Sequence, residues 1–426
     1  MRHIGKLPKG WRMAKLVDVA KIVMGQSPPG VTVSDWDGEP CCEDGLPFIQ
    51  GNAEFGNDHP KPKKWCEKPL KVSENGDTLI SVRAPVGETN RANCRIAIGR
   101  GLAAIRFTKA NPDYGWHMVN HAKLEFLRVA QGSTFHAIGG NDVRGLVVVL
   151  PPLLQQRAIA AVLDAIDEAI ERTEAVIGAT ERLRDALLHE LLTRGVSGWH
   201  MQWREVPGLG TVPADWQIVR LEDVAEIQTG RAVNRKAARS GSHEVPYLSV
   251  VNVKDGYLDF GVLKTMRVSD SELERYRLWD GDVLFTEGGD ADKLGRGTVW
   301  RGEINPCLHQ NHVFAVRPHA GKLIPDFLAA YASSSAGKRY FMGAAKQTTN
   351  LASVNSTQLK RMMLPVPRLD EQERITEILA STQQANSALS ADCECLRNLK
   401  TSAADSLLTG RVRVSKLAGT TFDCYS

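Results

Sequence analysis

The sequence predicts an α+β fold built as a tandem repeat, two mostly-β domains each followed by a long α-helix. Three observations carry this. The run Gly5, Pro8, Trp11, Leu16, Asp18, Val19, Ala20, Ile22, Gly25 returns 205 positions later as Gly210, Pro213, Trp216, Leu221, Asp223, Val224, Ala225, Ile227, Gly230, which is 9 identities in 21 positions. A repeat of about 210 residues is too long for a solenoid unit, so each copy should be a whole domain with its own core. Turn-rich segments with short apolar runs fill most of each copy, and each copy then closes on a long stretch of helical periodicity.

The elements follow in order. Gly76-Asp77-x-Leu79 answers Gly281-Asp282-x-Leu284, again 205 apart. Each Gly-Asp leads into an alternating run, Thr78–Val82 and Val283–Thr286, as a turn leads into a strand. Pro47-Phe48-Ile49 answers Pro246-Tyr247-Leu248 at a spacing of 199, so the first copy carries six extra residues between 25 and 47. They are rich in Pro, Gly and Asp and read as loop. Further strands are expected at Leu102–Phe107, matched by Val313–Arg317, and at Leu146–Leu150, matched by Met362–Val366.

Beyond these the offset settles at 216. Gln155-Gln156-x-x-Ile159 pairs with Glu371-Gln372-x-x-Ile375, Leu163 with Leu379, and Leu191-Leu192-Thr193 with Leu407-Leu408-Thr409. No insertion separates these anchors. Apolar residues recur at helical spacing through Ile159, Leu163, Ile166, Ile170, Ile177, Leu183, Leu187 and Leu191. The second copy has Ile375, Leu379, Leu389, Cys393, Leu396, Leu399 and Leu407, with polar Thr382 and Asn386 inside the stripe. Asp370 with Glu373 has the pattern of a capping box, and Gly195 or Gly410 can close the C-terminal ends. Each helix would have about 35 residues and a length of about 52 Å. The seam is narrow, like that of a coiled coil, and the natural partner of one stripe is the other. A free surface helix or a homodimeric coiled coil is the competing reading. The domain boundaries expected are 1–154, 155–195, 196–370, 371–410 and a tail at 411–426.

Composition sets bounds. The chain has 426 residues, 42% of them hydrophobic and 24% charged, as in an ordinary soluble protein. Its first residues are polar, so a secretory signal is not expected, and the apolar run 146–154 is broken by Pro151 and Pro152 and cannot span a membrane. A cytoplasmic location is expected. The eight cysteines include no C-x-x-C pair; reduced thiols and no metal site are expected. The net charge of +4 divides unevenly: +5 over 1–154, −3 over 155–195, +3 over 196–370 and −1 over 371–426. Basic domains joined by acidic connectors fit a polyanion that touches the domains only.

Motifs of catalysis are missing. A DNA methyltransferase needs a glycine-rich cofactor loop and an Asn or Asp before Pro-Pro-aromatic; neither Ser27-Pro28-Pro29-Gly30 nor Leu150-Pro151-Pro152-Leu153 qualifies. A common metal-dependent nuclease places an acid two positions before a lysine, and no lysine here has one. Neither a G-x-x-x-x-G-K-[ST] loop nor H-E-x-x-H occurs. Gly288-Gly289 could cradle a phosphate, but Glu287, Asp290 and Asp292 would repel it. No catalytic residues are assigned.

Groove recognition of nucleic acid needs cations for phosphates and amides or hydroxyls for base edges. In the first copy the candidates are Lys61, Lys63 and Lys64 beside Trp65, then Arg83, Arg91, Arg95 and Arg100, and the polar run Gln131, Ser133, Thr134, His136. In the second they are Arg231, Asn234, Arg235, Lys236 and Arg239, then His309-Gln310-Asn311-His312, and Lys346, Gln347, Thr348, Thr349, Asn350. Solvated surface is the competing reading of each residue alone. The last cluster, however, falls in the same place in both copies with different side chains, as two readers of different sequences would require.

These residues together resemble the specificity subunits of Type I restriction–modification systems. The resemblance rests on the ordered series Pro-x-x-Trp…Leu-x-Asp-Val-Ala, a variable domain, an apolar residue then Pro-x-Leu, acid-Gln-x-x-Ile, and a long helix ending Leu-Leu-Thr. The strand exits read Leu150-Pro151-Pro152-Leu153 and Val366-Pro367-Arg368-Leu369, and the series occurs twice over essentially the whole chain. It departs where Gln155 replaces the acid supplied by Glu371 and where Leu154 stands in place of Asp370, so the first helix should start less sharply.

The resemblance implies a non-catalytic reader of double-stranded DNA. Each mostly-β domain would be a target recognition domain for one half of a bipartite, asymmetric site, and the helices would pack as an antiparallel coiled coil that sets the gap. Neighbouring major-groove turns lie about 34 Å apart on B-DNA. It further implies two modification subunits that bind S-adenosylmethionine and methylate a flipped base. Two restriction subunits using ATP and magnesium would complete the enzyme; no cofactor is expected in this chain. A stand-alone sequence-specific DNA-binding regulator is the alternative, and a methyltransferase or nuclease with fused recognition domains a further one.

Overall fold

The computed structural model describes residues 7–36, 38, 45–131, 137–232, 242–289, 294–295, 297–347 and 352–414. The chain divides into two compact units, Met1–Glu174 with Ala391–Ser426, and Ala175–Ser390.

In the first unit a four-stranded antiparallel sheet runs in the order Ala20–Met24, Leu102–Phe107, Thr78–Ser81, Thr89–Arg91. A second, five-stranded sheet takes Val33–Asp35, Lys64–Cys66, Leu46–Ile49, Ile96–Ile98 and Val72–Ser73. Arg12–Lys15 pairs with Val147–Leu150, and the helices Pro112–His121 and Lys123–Gln131 cover the core. The second unit repeats the plan. Its four-stranded sheet runs Ala225–Thr229, Val313–Pro318, Val283–Thr286, Gly297–Val299, the same order of corresponding strands. Gln217–Arg220 pairs with Met363–Val366, and Pro325–Ser333 and Ser335–Ala344 are the matching helices. The second sheet is smaller here, with Lys264–Val268, His243–Leu248 and Leu308–His309.

The repeated residues prove to be a set of interactions made twice. Leu16 and Leu221 are fully buried, and Asp18 and Asp223 each accept a hydrogen bond from the backbone N–H three residues before them. Gly25 and Gly230 sit where backbones cross: a Cβ would lie 2.1 Å from the Gly99 carbonyl oxygen in one case and 2.3 Å from that of His309 in the other. Gly76 and Gly281 have φ of 85° and 89°, which only glycine adopts without strain. The aspartate after each is buried and takes both arms of an arginine: Asp77 from Arg106 and Asp282 from Arg317, every contact at 2.8 Å. Such bidentate pairs fix geometry as well as charge. Tyr114 donates its hydroxyl hydrogen to the Val149 carbonyl, and Tyr331 donates to that of Met363.

The long helices span Leu153–Arg194 and Leu369–Leu408, 42 and 40 residues against about 35 expected, and both begin two residues before the expected boundaries at 155 and 371. Asp370 therefore lies inside the first turn rather than at the cap, accepting from the Glu371 N–H at 2.9 Å. The two starts are equally sharp, because a glutamine hooks each to its domain. Gln156 accepts from the Asn111 N–H and donates to the Pro151 carbonyl, both at 2.8 Å. Gln372 does the same with the Ile324 N–H and the Pro367 carbonyl. Gly195 and Gly410, with φ of 76° and 75°, follow the other ends as the sequence predicts.

Within each unit the two helices are in contact. In the first, Asp167 pairs with Lys400 and Glu174 with Arg397, so rising numbers in one helix meet falling numbers in the other; the pairing is antiparallel. Ile159, Leu163 and Leu407 enter the first core, while Ile166, Ile170 and Leu396 are half-buried in the seam. Leu191, Ile375 and Leu379 enter the second core, with Ile177, Leu187 and Leu389 half-buried. Leu183 and Leu399 are corrections: they are 53% and 51% exposed. The stripe turns toward the domain core at this end, so Leu188 and Leu192 are buried in place of a continued Leu183–Leu187 line.

Substitution of Asp282 by Asn should cost about 2–3 kcal/mol, somewhat less than a fully buried pair because Arg317 stays partly in water. Asp77→Asn should behave alike, and Arg397→Ala on the helix surface should leave the urea midpoint unchanged; equilibrium denaturation of the three variants checks this.

Candidate nucleic-acid interface

Strand pleat decides which candidate cations face outward. Lys64 opens Lys64–Cys66 and is exposed, while the next side chain, Trp65, turns inward to lie 5.7 Å from Trp36. Lys61 and Lys63 precede it on the same exposed approach. Arg83 follows Thr78–Ser81, Arg100 stands in the turn before Leu102–Phe107, and both are exposed. Arg95 is exposed with Glu74 at 3.4 Å, a contact that water and salt weaken. Gln131 is exposed at the end of its helix.

Two arginines are committed elsewhere. Arg91 meets Asp113 at 3.1 Å and Asp164 at 3.7 Å, and its guanidinium lies 4.9 Å over the Trp116 ring. His117 Nε2 shares Asp164 at 2.8 Å, and burial holds its imidazole below the usual histidine range. This network ties the strand Thr89–Arg91 to the first long helix. Arg231 is buried, its Nε 2.9 Å from Glu272. The Ser269 N–H, with Arg231 after it, holds the Glu272 carboxyl below its ordinary range. Neither arginine is free to neutralise a phosphate without breaking its domain, and nothing in the spacing of the sequence distinguished them from their exposed neighbours.

Of the polar runs, Ser133, Thr134, His136, Asn234, Arg235, Lys236, Arg239, Thr348, Thr349 and Asn350 lie outside the described residues. Lys346–Gln347 is a strand paired with Ala352–Ser353, which also pairs with Gly288–Gly289. The glycine pair is thus part of a small sheet and not a loop. His309 faces inward: its Nδ1 meets the Val313 carbonyl at 2.7 Å, and burial pushes its pKa down to about 4. His312, by contrast, is exposed and 2.6 Å from Glu287.

Sequence reasoning missed the purpose of the acid-Gln step. Glu371 is 2% exposed and accepts from three donors, the Val196 N–H at 3.0 Å, the Trp216 indole at 3.0 Å and His200 Nε2 at 2.6 Å. Among the described residues Gln155 accepts from one donor, the Trp11 indole, at 2.8 Å. The recurrence in both copies of a Trp at the domain entry and of Glu or Gln at the start of the long helix was the available signal. Among the described residues no group of three or more His, Cys, Asp or Glu could hold a metal ion, and no helix is long and apolar enough to cross a membrane.

Comparison with known proteins gives two matches to the model of the Type I restriction modification DNA specificity domain, over residues 8–177 and 213–392. A type I restriction enzyme specificity subunit from Methanocaldococcus jannaschii, MjaX, is 40% identical over 195 residues, 45% of this chain and 44% of that protein, so the matched stretch spans less than half of it. The MjaVIII specificity subunit from the same organism is 22% identical over 97% of this chain and 96% of its own length. Among solved structures, the S subunit of a type I system from M. genitalium shares the fold, with a TM-score of 0.58 and 14% identity over 96% of this chain and 99% of that one.

The distinction between exposed and committed cations is measurable with duplex DNA. Lys61→Ala and Lys64→Ala should each lower the slope of log affinity against log salt by about one unit. Arg231→Ala should leave the slope alone and cost about 1–2 kcal/mol of stability, since it strands Glu272. Anisotropy titrations across a salt series, with a denaturation curve for each variant, separate the two effects.

Proposed function

The chain belongs to the Type I restriction–modification DNA specificity family, and from that premise we propose that its two mostly-β domains read the two unlike halves of a bipartite DNA site while the paired helices set the gap. The observation that carries this reading is the contrast inside the repeat. The buried aspartate–arginine clamp, the glutamine hook and the tyrosine bridge recur in both units. The polar runs that follow the matching helices, 131–136 and 346–350, recur in place along the sequence but not in chemistry.

The chemistry of reading follows from the pieces. Exposed lysines and arginines bring each domain to phosphates without regard to sequence. Amide and hydroxyl side chains such as Gln131 and Gln347 then discriminate base edges. The chain itself performs no bond-breaking step in this account. Two modification subunits carrying S-adenosylmethionine dock on the scaffold and methylate a flipped base. Two restriction subunits carrying ATP and magnesium complete the cytoplasmic enzyme.

Unbroken helices make the gap a matter of length. At 1.5 Å per residue, excising four residues from Thr173–Ile177 and four from the facing part of the second helix removes about 6 Å, or about two base pairs. Methylome sequencing of cells carrying that variant with its modification subunits should show both half-sites intact and the gap shortened. Altered half-sites with an unchanged gap would contradict the proposal.

A further inference from the structure

Both units reverse the chain at the same place in the frame. In the first, Leu46–Ile49 leads to a bridge between Phe55 and Pro60, closed by the Gly56 N–H on the His59 carbonyl at 3.1 Å, before Lys64–Cys66. In the second, His243–Leu248 leads to a bridge between Val253 and Leu258, closed by the Lys254 N–H on the Tyr257 carbonyl at 3.0 Å, before Lys264–Val268. Each turn is fastened to the last strand of its four-stranded sheet. Asn90 donates to the Gly56 carbonyl at 2.9 Å and the Arg91 N–H to that of Asp58 at 3.1 Å; the Gly256 N–H donates to Gly297 at 3.1 Å. His59 and Tyr257 therefore hold one position in two copies.

The chemistry at that position differs, although both turns carry an exposed aspartate, Asp58 in the first and Asp255, 3.7 Å from Lys338, in the second. The first turn presents exposed Asn57, Asp58 and His59. The second presents Val251, Tyr257 and Val262, which are 58%, 60% and 64% exposed. These apolar side chains point outward from a loop that is already ordered. Asn252, 2% exposed, accepts from the Ser249 N–H and hydroxyl and donates to the carbonyls of Asp259 and Val262, using its whole hydrogen-bonding capacity. The loop has met its ordering cost before any partner arrives, which favours tight recognition.

Unlike surfaces at like positions select the partner. A protein present in two identical copies would meet the features the units share, and these turns are not shared. Two unlike DNA half-sites would meet features that differ. Exposed cations follow both turns along the chain, Lys61, Lys63 and Lys64 in one unit and Lys264 in the other. Resting on the functional reading above, we propose that the Tyr257 turn is a base-reading element of the second domain, making apolar contact with a thymine methyl group. That methyl is the apolar feature of the major-groove code. The His59 turn is its polar counterpart in the first domain.

The test uses the full chain co-expressed with its modification subunits and whole-genome methylation mapping of Tyr257→Ser, Val251→Thr and Asn252→Ala. Tyr257 and Val251 are exposed, so their variants leave the fold intact, and Asn252→Ala asks separately whether the staple matters. Each should relax the preference for thymine at one position of one half-site by about tenfold, leaving the other half-site, the gap and assembly unchanged. A normal wild-type pattern untouched by all three variants overturns this assignment alone. Weakened co-purification of the modification subunits, with the remaining methylation still falling on the wild-type sequence, assigns the turn to a protein partner and also overturns it. A wild-type complex without a two-part pattern overturns the functional reading itself.

Discussion

Neither domain core closes without both long helices. The first core takes Ile159, Ala160 and Leu163 from the start of one helix and Leu407 and Leu408 from the end of the other. The second takes Leu188, Leu191 and Leu192 from the end of the first and Ile375 and Leu379 from the start of the second. Each unit is thus completed by a stretch of both long helices, and the antiparallel sense of the helices follows from that requirement. The surface ion pairs along the seam, Glu174 with Arg397 among them, add little by comparison. Burial of the leucines and isoleucines at each end supplies the larger part. It also explains why the helices match without insertion while the loops do not. A residue added to a loop is absorbed in water, whereas one added to a helix would rotate every later side chain by about 100° out of its core.

The frame holds its variable parts by bonds that ignore their identity. The aspartate–arginine clamp closes the turn before the central strand, and the glutamine hook binds backbone atoms only. Substitutions at loop tips leave these contacts alone, so one scaffold can carry readers of different chemistry. The two copies differ at one junction. Glu371 gathers the Val196 N–H, His200 and the Trp216 indole, with Asp215 2.9 Å from the other His200 nitrogen. Those donors supply what a buried carboxylate requires. Gln155 faces a single indole and needs no charge.

Much of this was legible in the sequence, for a physical reason. Residues whose role is set by the backbone, such as Gly25, Gly76 and their partners Gly230 and Gly281, cannot vary, so they align. The strands at Leu102–Phe107 and Val283–Thr286 fall where alternation placed them. Side-chain partners reached across the fold are a different matter. Arg91 and Arg231 carry the same charge as Arg83 and Arg100, and only the folded chain brings Asp113 and Glu272 to them. The helix stripe misled at Leu183 and Leu399, because periodicity marks a face but not where that face turns from its partner helix to a domain. The apolar turn at Tyr257 was invisible for the converse reason. Nothing in the order of residues marks Val251, Tyr257 and Val262 as outward; only the folded chain exposes them.

The central claim is that frame and readers are separable. It is tested most directly by a chain in which residues 26–145 are replaced by residues 231–361, so that the second reader stands on both copies of the frame. Methylome sequencing with the modification subunits should return a site built from two copies of the half-site read by the second domain, at the original gap. Retention of the original asymmetric site, or loss of the gap with both halves still recognised, would contradict the account.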